Sequence, residues 1–205
     1  WIGDAPGLKM MAREGVVSAL DMAGPPGDVL KNVRDFGSGM NIAALDAFYR
    51  EEGSGIGSDF SDAGIKKRLH RSLEEGALGV KLLGGHYPLS PETTQKAIRL
   101  AAEEKIYIAF HAGTTEHGSH LEGMREAVEL ADGHPIHLAH INSYCRGAIK
   151  KTLWEVQEAI DLLAGASNVW CESYLSVFNG TSGKCTDGKI HSEVTKRCCR
   201  IGGFE

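Results

Sequence analysis

The chain has 205 residues, 42% hydrophobic and 24% charged, with a formal net charge of −5. That is enough for one sizeable core, or for part of a larger single-domain barrel. The acidic balance, with no basic run, excludes a nucleic-acid surface, and no apolar stretch reaches the roughly 18 residues a membrane-spanning helix needs.

In chain order, "GVVSALDMAG" (15–24) and "MNIAALDAF" (40–48) are short apolar runs that predict buried strands. "IKKRLHRSLEEGA" (65–77) has helical spacing at Ile65, Leu69 and Leu73 and stops at Gly76, and "LGVKLLGG" (78–85) is a third strand. "SPETTQKAIRLAAEEK" (90–105) carries a complete helix start: Ser90 caps, Pro91 takes the first position and Glu92 follows in the first turn. Then come a strand at "IYIAFHAG" (106–113), a helix over 121–133 ended by Gly133, and a strand at "PIHLAHIN" (135–142). A helix over 149–166 and a strand at "NVWCESYLS" (168–176) complete the series.

Strands and helices alternating in this way imply βαβ connections and a parallel sheet buried on both faces. Six strands fit the middle of a (β/α)8 barrel, which uses eight over about 250 residues. A doubly wound sheet is the competing α/β architecture. No GxGxxG or GxxxxGK[ST] loop follows a strand, which weakens its nucleotide-binding versions. The predicted barrel region covers 1–180, and 181–205 is a loop or an incomplete C-terminal segment. The chain opens on Trp1 and is expected to be a fragment: an open, curved sheet whose edges pair with further chain or with a second copy, making a homo-oligomer one expected partner arrangement. Cys145, Cys171, Cys185, Cys198 and Cys199 are odd in number and form no CxxC pair, which points to reduced thiols and a cytoplasmic location.

Three consecutive strands carry an ionisable residue near their C-terminal ends, where parallel α/β folds build their sites: Lys81, His111 and His140, at intervals of 30 and 29 residues. One βα unit is about that long, so the three recur at similar height. Strict alternation sends His137 outward to the helices. His86 lies beside the strand-end glycines, while His70, His117 and His120 are expected on the surface and His191 has no reading. Two neutral imidazoles suit zinc or another divalent metal, whereas an ammonium has no lone pair to give. Lys81 therefore acts either as a carbamate formed with carbon dioxide or as a Schiff-base nucleophile of the class I aldolase type.

The stretch from "GALGVKLLGGHYPLSPETTQ" through "IYIAFHAG" to "HPIHLAHINS" resembles the amidohydrolase superfamily, in the branch of D-aminoacylases, hydantoinases and dihydroorotases. The likeness covers about residues 10–180 and is strongest over 76–147; "ESYLSVFNGTS" is similar to the acidic segment on strand seven of the deacylases. This implies an incomplete barrel of roughly strands two to seven. Lys81 would be the carbamylated bridge between metals, and His111 and His140 metal ligands, with one or two divalent ions as cofactors. The family's strand-one His-x-His and strand-eight Asp have no match, so the catalytic base is unassigned and the chain alone is expected to be inactive. Asp187, in "TDG", lies in no apolar run and is not assigned. The implied activity is hydrolysis of an amide or cyclic amide on a small-molecule substrate, closest to N-acyl-D-amino-acid deacylation. Arg146 is a candidate clamp for a substrate carboxylate; Tyr87, Tyr144 and His86 are candidate pocket residues. A Schiff-base lyase built on Lys81 and a non-catalytic assembly protein remain the alternatives.

Overall fold

The sequence pattern of apolar strand and amphipathic helix closes into one layered unit, seen in a computed structural model that describes residues 5–22, 24–48, 59–173 and 185–190. The strands of the main sheet are β1 (Ser18–Asp21), β2 (Asn41–Phe48), β3 (Gly79–Leu83), β4 (Tyr107–His111), β5 (Ile136–Leu138) and β6 (Val169–Cys171). The helices are α1 (Ala5–Arg13), α2 (Pro26–Phe36), α3 (Asp62–Glu74), α4 (Pro91–Glu103), α5 (Leu121–Ala131) and α6 (Thr152–Ala164). A separate two-residue ribbon pairs β7 (Cys185–Thr186) with β8 (Lys189–Ile190) across an Asp187–Gly188 turn, both residues at positive φ.

All five pairings in the main sheet are parallel, and the strand order is β1-β2-β3-β4-β5-β6. A doubly wound sheet reverses its order at a switch point; this one never does, so the architecture is a curled portion of a (β/α)8 barrel. Among the described residues, β1 and β6 are its edges, and no helix is long and apolar enough to cross a membrane.

The helix signals act as read. The Ser90 hydroxyl accepts from Thr93 N at 3.2 Å, with Pro91 opening α4. Ser61 does the same for α3, accepting from Gly64 N at 3.1 Å. Helices α1 and α2 were not expected. In α2 the signals were present but terse: Pro26 in the first turn, Asp28 behind it, and Gly37 at φ 68° as the stop.

Register fixes which side chains share a face. Ala47 pairs with Lys81, Lys81 with Ala109, Ala109 with His137, and His137 with Trp170, so these five form one row across β2 to β6. The alternate residues Val80, Leu82, Ile108, Phe110, Ile136 and Leu138 form the core with Ala97, Ile98, Ala101, Met124 and Ala127 of the helices. Asp46 is also on that side, buried under α3, where its carboxylate accepts from Arg68 Nη2 at 2.6 Å and Ser72 Oγ at 2.7 Å. His137 thus lies on the inner face with Lys81, and the expectation that it points to the helices is corrected. Its imidazole Nδ1 bonds the hydroxyl of Tyr107, one inner position lower on β4.

Candidate active site

Lys81 and His111 reach the inner face by simple alternation along β3 and β4. Their strand ends close together because Gly84 and Gly113 face each other: a Cβ on Gly84 would lie 2.0 Å from the Gly113 carbonyl oxygen. Gly84 N bonds His111 O at 2.9 Å, tying the two ends.

His140 arrives differently. From His137, alternation carries Ala139 inward and would turn residue 140 to the helices. His140 instead adopts φ 41°, ψ 64°, a left-handed conformation that costs an ordinary residue about 1–2 kcal/mol. Glu172, just past β6, holds that turn. Its Oε1 accepts from His140 N at 2.6 Å and its carbonyl accepts from Ile141 N at 2.9 Å. The kink brings His140 Nε2 to 2.7 Å from His111 Nδ1, with ring centroids 4.7 Å apart. The outer nitrogens are also engaged: His111 Nε2 meets Ser119 Oγ at 2.7 Å, and His140 Nδ1 meets Glu172 Oε1 at 3.2 Å.

Burial governs the charges here. It pushes the His111 imidazole down to about 2, with the charges of His140 and Lys81 adding to the effect. His140 falls to about 4 through burial and Lys81, against an opposing pull from Glu172. Burial brings the Lys81 amine down to about 7, again with Glu172 opposing. At neutral pH both imidazoles are uncharged and a large fraction of the lysine is a free amine. Lys81 Nζ lies 3.4 Å from Met22 Sδ, just past the end of β1.

The other candidates take different places. His86 is exposed, its ring 5.8 Å from that of His111. Arg146 is half-buried beside Ser143 Oγ at 3.4 Å, and its charge also depresses His111. Tyr87 is 46% exposed at the rim. Tyr144, expected as a pocket wall, is fully buried: its hydroxyl donates to Ala139 O at 2.6 Å and accepts from Ala112 N at 2.9 Å. It therefore clamps the ends of β4 and β5 together, its ring edge-on to His111 at 5.6 Å. His70 is exposed and bonds Glu104, as expected of a surface residue. Tyr174 onward in the "ESYLSVFNGTS" segment, and His191, lie outside the described residues. Ser119 was missed because nothing in "TTEHGSH" marks a loop serine that folds back onto a strand end.

The donor chemistry gathered here fits a divalent metal. Two neutral imidazole nitrogens converge in a buried place beside an amine that can become an anionic oxygen donor. Among the described residues no three His, Cys, Asp or Glu side chains are placed to hold an ion. The 2.7 Å separation is a hydrogen bond; two nitrogens on one tetrahedral zinc stand wider by roughly 0.6 Å.

No protein-family model and no curated protein matches the sequence. Solved structures do match in shape. The formyltransferase/hydrolase complex of Methylorubrum extorquens, in complex with methylofuran, aligns with a TM-score of 0.62 at 16% identity, over 85% of this chain and 38% of that one. A Xaa-Pro dipeptidase aligns at 0.51 and 14%, over 80% and 43%. The N-acyl-D-glutamate deacylase of Bordetella bronchiseptica, complexed with zinc and a phosphonate inhibitor, aligns at 0.51 and 14%, over 82% and 43%. The chain thus spans about two-fifths of the length of these proteins. At such identities the likeness is one of fold, and the fold shared is the (β/α)8 barrel, of which six strands lie among the described residues.

Proposed function

We propose that this chain carries part of the centre of a metal-dependent amidohydrolase that cleaves amide or cyclic-amide C–N bonds other than peptide bonds, with N-acyl-D-amino acids as the substrate class. The observation that carries this reading is the meeting of His111 Nδ1 and His140 Nε2 at 2.7 Å beside a buried lysine. Zinc is the metal of the similar N-acyl-D-glutamate deacylase structure. His111 and His140 would hold it.

The free amine of Lys81 adds to carbon dioxide. An N–C bond forms as one C=O π pair of carbon dioxide moves to oxygen, the nitrogen releases a proton to water, and the resulting carbamate would offer an anionic oxygen donor in place of a cationic side chain. A bound divalent metal supplies Lewis acidity, lowering the pKa of water and polarising the scissile carbonyl. Arg146 would bind a substrate carboxylate, with His86 and Tyr87 as further pocket residues. The free thiols of Cys145 and Cys171 support a cytoplasmic setting. The exposed Trp170 on edge strand β6 supports association of that edge with further chain, a second copy included.

The lowered Lys81 pKa equally suits imine formation, so the two roles need separating. Full-length protein loaded with zinc and bicarbonate should retain metal by mass spectrometry, and Lys81→Ala and His111→Ala should each lose it. Borohydride with carbonyl substrates should leave Lys81 unmodified. A stable reduced adduct on Lys81, with activity surviving a chelator, would establish the lyase chemistry instead.

A further inference from the structure

The contacts of the two imidazoles form one chain: Glu172 Oε1 to His140 Nδ1 at 3.2 Å, His140 Nε2 to His111 Nδ1 at 2.7 Å, and His111 Nε2 to Ser119 Oγ at 2.7 Å. Its direction follows from one end. A carboxylate only accepts, so His140 Nδ1 carries the hydrogen. The neutral His140 ring then has its lone pair on Nε2. The hydrogen between the rings therefore belongs to His111 Nδ1, which leaves the His111 lone pair on Nε2, where the Ser119 hydroxyl donates to it.

A metal held between the rings needs lone pairs on both facing nitrogens. His140 already presents one, because Glu172 fixes its tautomer. His111 does not: its Nδ1 must give up the hydrogen, and Nε2 must take one. Of the side chains in the chain, only a hydroxyl can answer by rotating from donor to acceptor without moving its oxygen.

We propose that Glu172 and Ser119 are positioning residues for metal uptake. Glu172 presets the tautomer of His140, and Ser119 carries His111 from one tautomer to the other. Neither role belongs to the ligand set assigned above, though the proposal rests on the metal-dependent reading of the site. Groups that orient a ligating histidine from behind typically influence metal affinity about 10–100-fold when removed. Position suits them to it: Ser119 precedes α5, whose first turn Leu121 buries, and Glu172 also fixes the backbone of His140.

The test uses the full-length protein, zinc affinity by competition with a chromogenic chelator, and histidine tautomers by nitrogen-15 NMR. Ser119→Ala should weaken zinc binding about 10–100-fold, and Ser119→Thr, which keeps the hydroxyl, should restore most of it. Metal-free wild-type protein should show His111 protonated on Nδ1, and zinc-loaded protein on Nε2. In metal-free Glu172→Gln, an amide NH2 facing His140 allows the opposite tautomer, so the ring signals of His140 should show a mixture. Wild-type zinc binding with Ser119→Ala unchanged, or His111 carrying its proton on Nε2 in both states, overturns the proposal and leaves the metal reading standing. A wild-type protein that takes up no zinc overturns both.

Discussion

Glu155 offers the most quantitative check on how the site's loop is built. It lies in the first turn of α6 and its side chain is fully buried. Its Oε2 accepts from Gly147 N at 2.6 Å, and its Oε1 accepts from Ile149 N at 2.6 Å and Lys150 N at 2.9 Å. These three bonds fix the loop that leaves Arg146 at the rim of the site. Replacing Glu155 with Gln keeps one oxygen for Ile149 and Lys150 but sets an NH2 group against Gly147 N, donor against donor. Loss of a charge-assisted bond together with an unsatisfied buried donor costs about 2–4 kcal/mol. For a chain of this size that is a fall in Tm of about 4–16 °C. Burial alone would raise the Glu155 pKa, but the backbone N–H groups outweigh it and hold the carboxyl below its ordinary 4.5. A depressed folded pKa gives stability that is complete above 4.5 and is lost as pH falls through the folded value. The gap between wild type and Glu155→Gln should thus be full at about pH 7 and close on acidification below 4.5. Thermal melts by circular dichroism across that range read both quantities. A gap below about 2 °C at neutral pH, or one that fails to narrow in acid, would refute the reasoning.

Two substitutions nearer the histidines follow from spacing alone. A Cβ on Gly85 would lie 2.3 Å from His111 Nε2 and 2.6 Å from its Cδ2, so Gly85→Ala must swing the ring off Ser119; zinc affinity should drop by more than about tenfold in chelator competition, and unchanged affinity would show that the ring has room to yield. Tyr144→Phe keeps the ring against His111 but strips Ala112 N and Ala139 O of their shared partner, which should lower stability by about 2–4 kcal/mol in urea titration; a variant of full stability with only an altered KM would return Tyr144 to a substrate-wall role.

Much of the fold was legible because its signals are local. Ser90, Pro91 and Glu92 each act within one helical turn, and each does in the structure what its chemistry requires. The apolar runs marked all six strands, and their spacing gave the parallel order. The two unexpected helices show where local signals thin out. Helix α2 opens within the run Gly24, Pro25 and Pro26, which reads as a turn, yet the second proline occupies the first helical turn where its missing N–H costs nothing. Asp46 was equally opaque, since a carboxylate inside a strand becomes tolerable only when Arg68 and Ser72 arrive from a helix some twenty residues on.

The candidate site shows the sharper limit. Choosing His140 over His137 by position at the strand end and by matching it to His111 reached the residue that meets His111, but the alternation that sent His137 outward was wrong. Counting from His111 along its own inner row leads to Ala139, and His137, one layer below in the row of Ala109, does point inward, against Tyr107. His140 is on the helix-facing phase and crosses over only because its backbone is left-handed, a state that a histidine does not choose unaided. What supports it is Glu172, 32 residues later and one strand away, bonding both the backbone and the ring of His140. The same carboxylate that stabilises the kink also decides which nitrogen of His140 faces His111. Strain in the strand end and the orientation of the donor thus have one cause, and removing Glu172 should release both together.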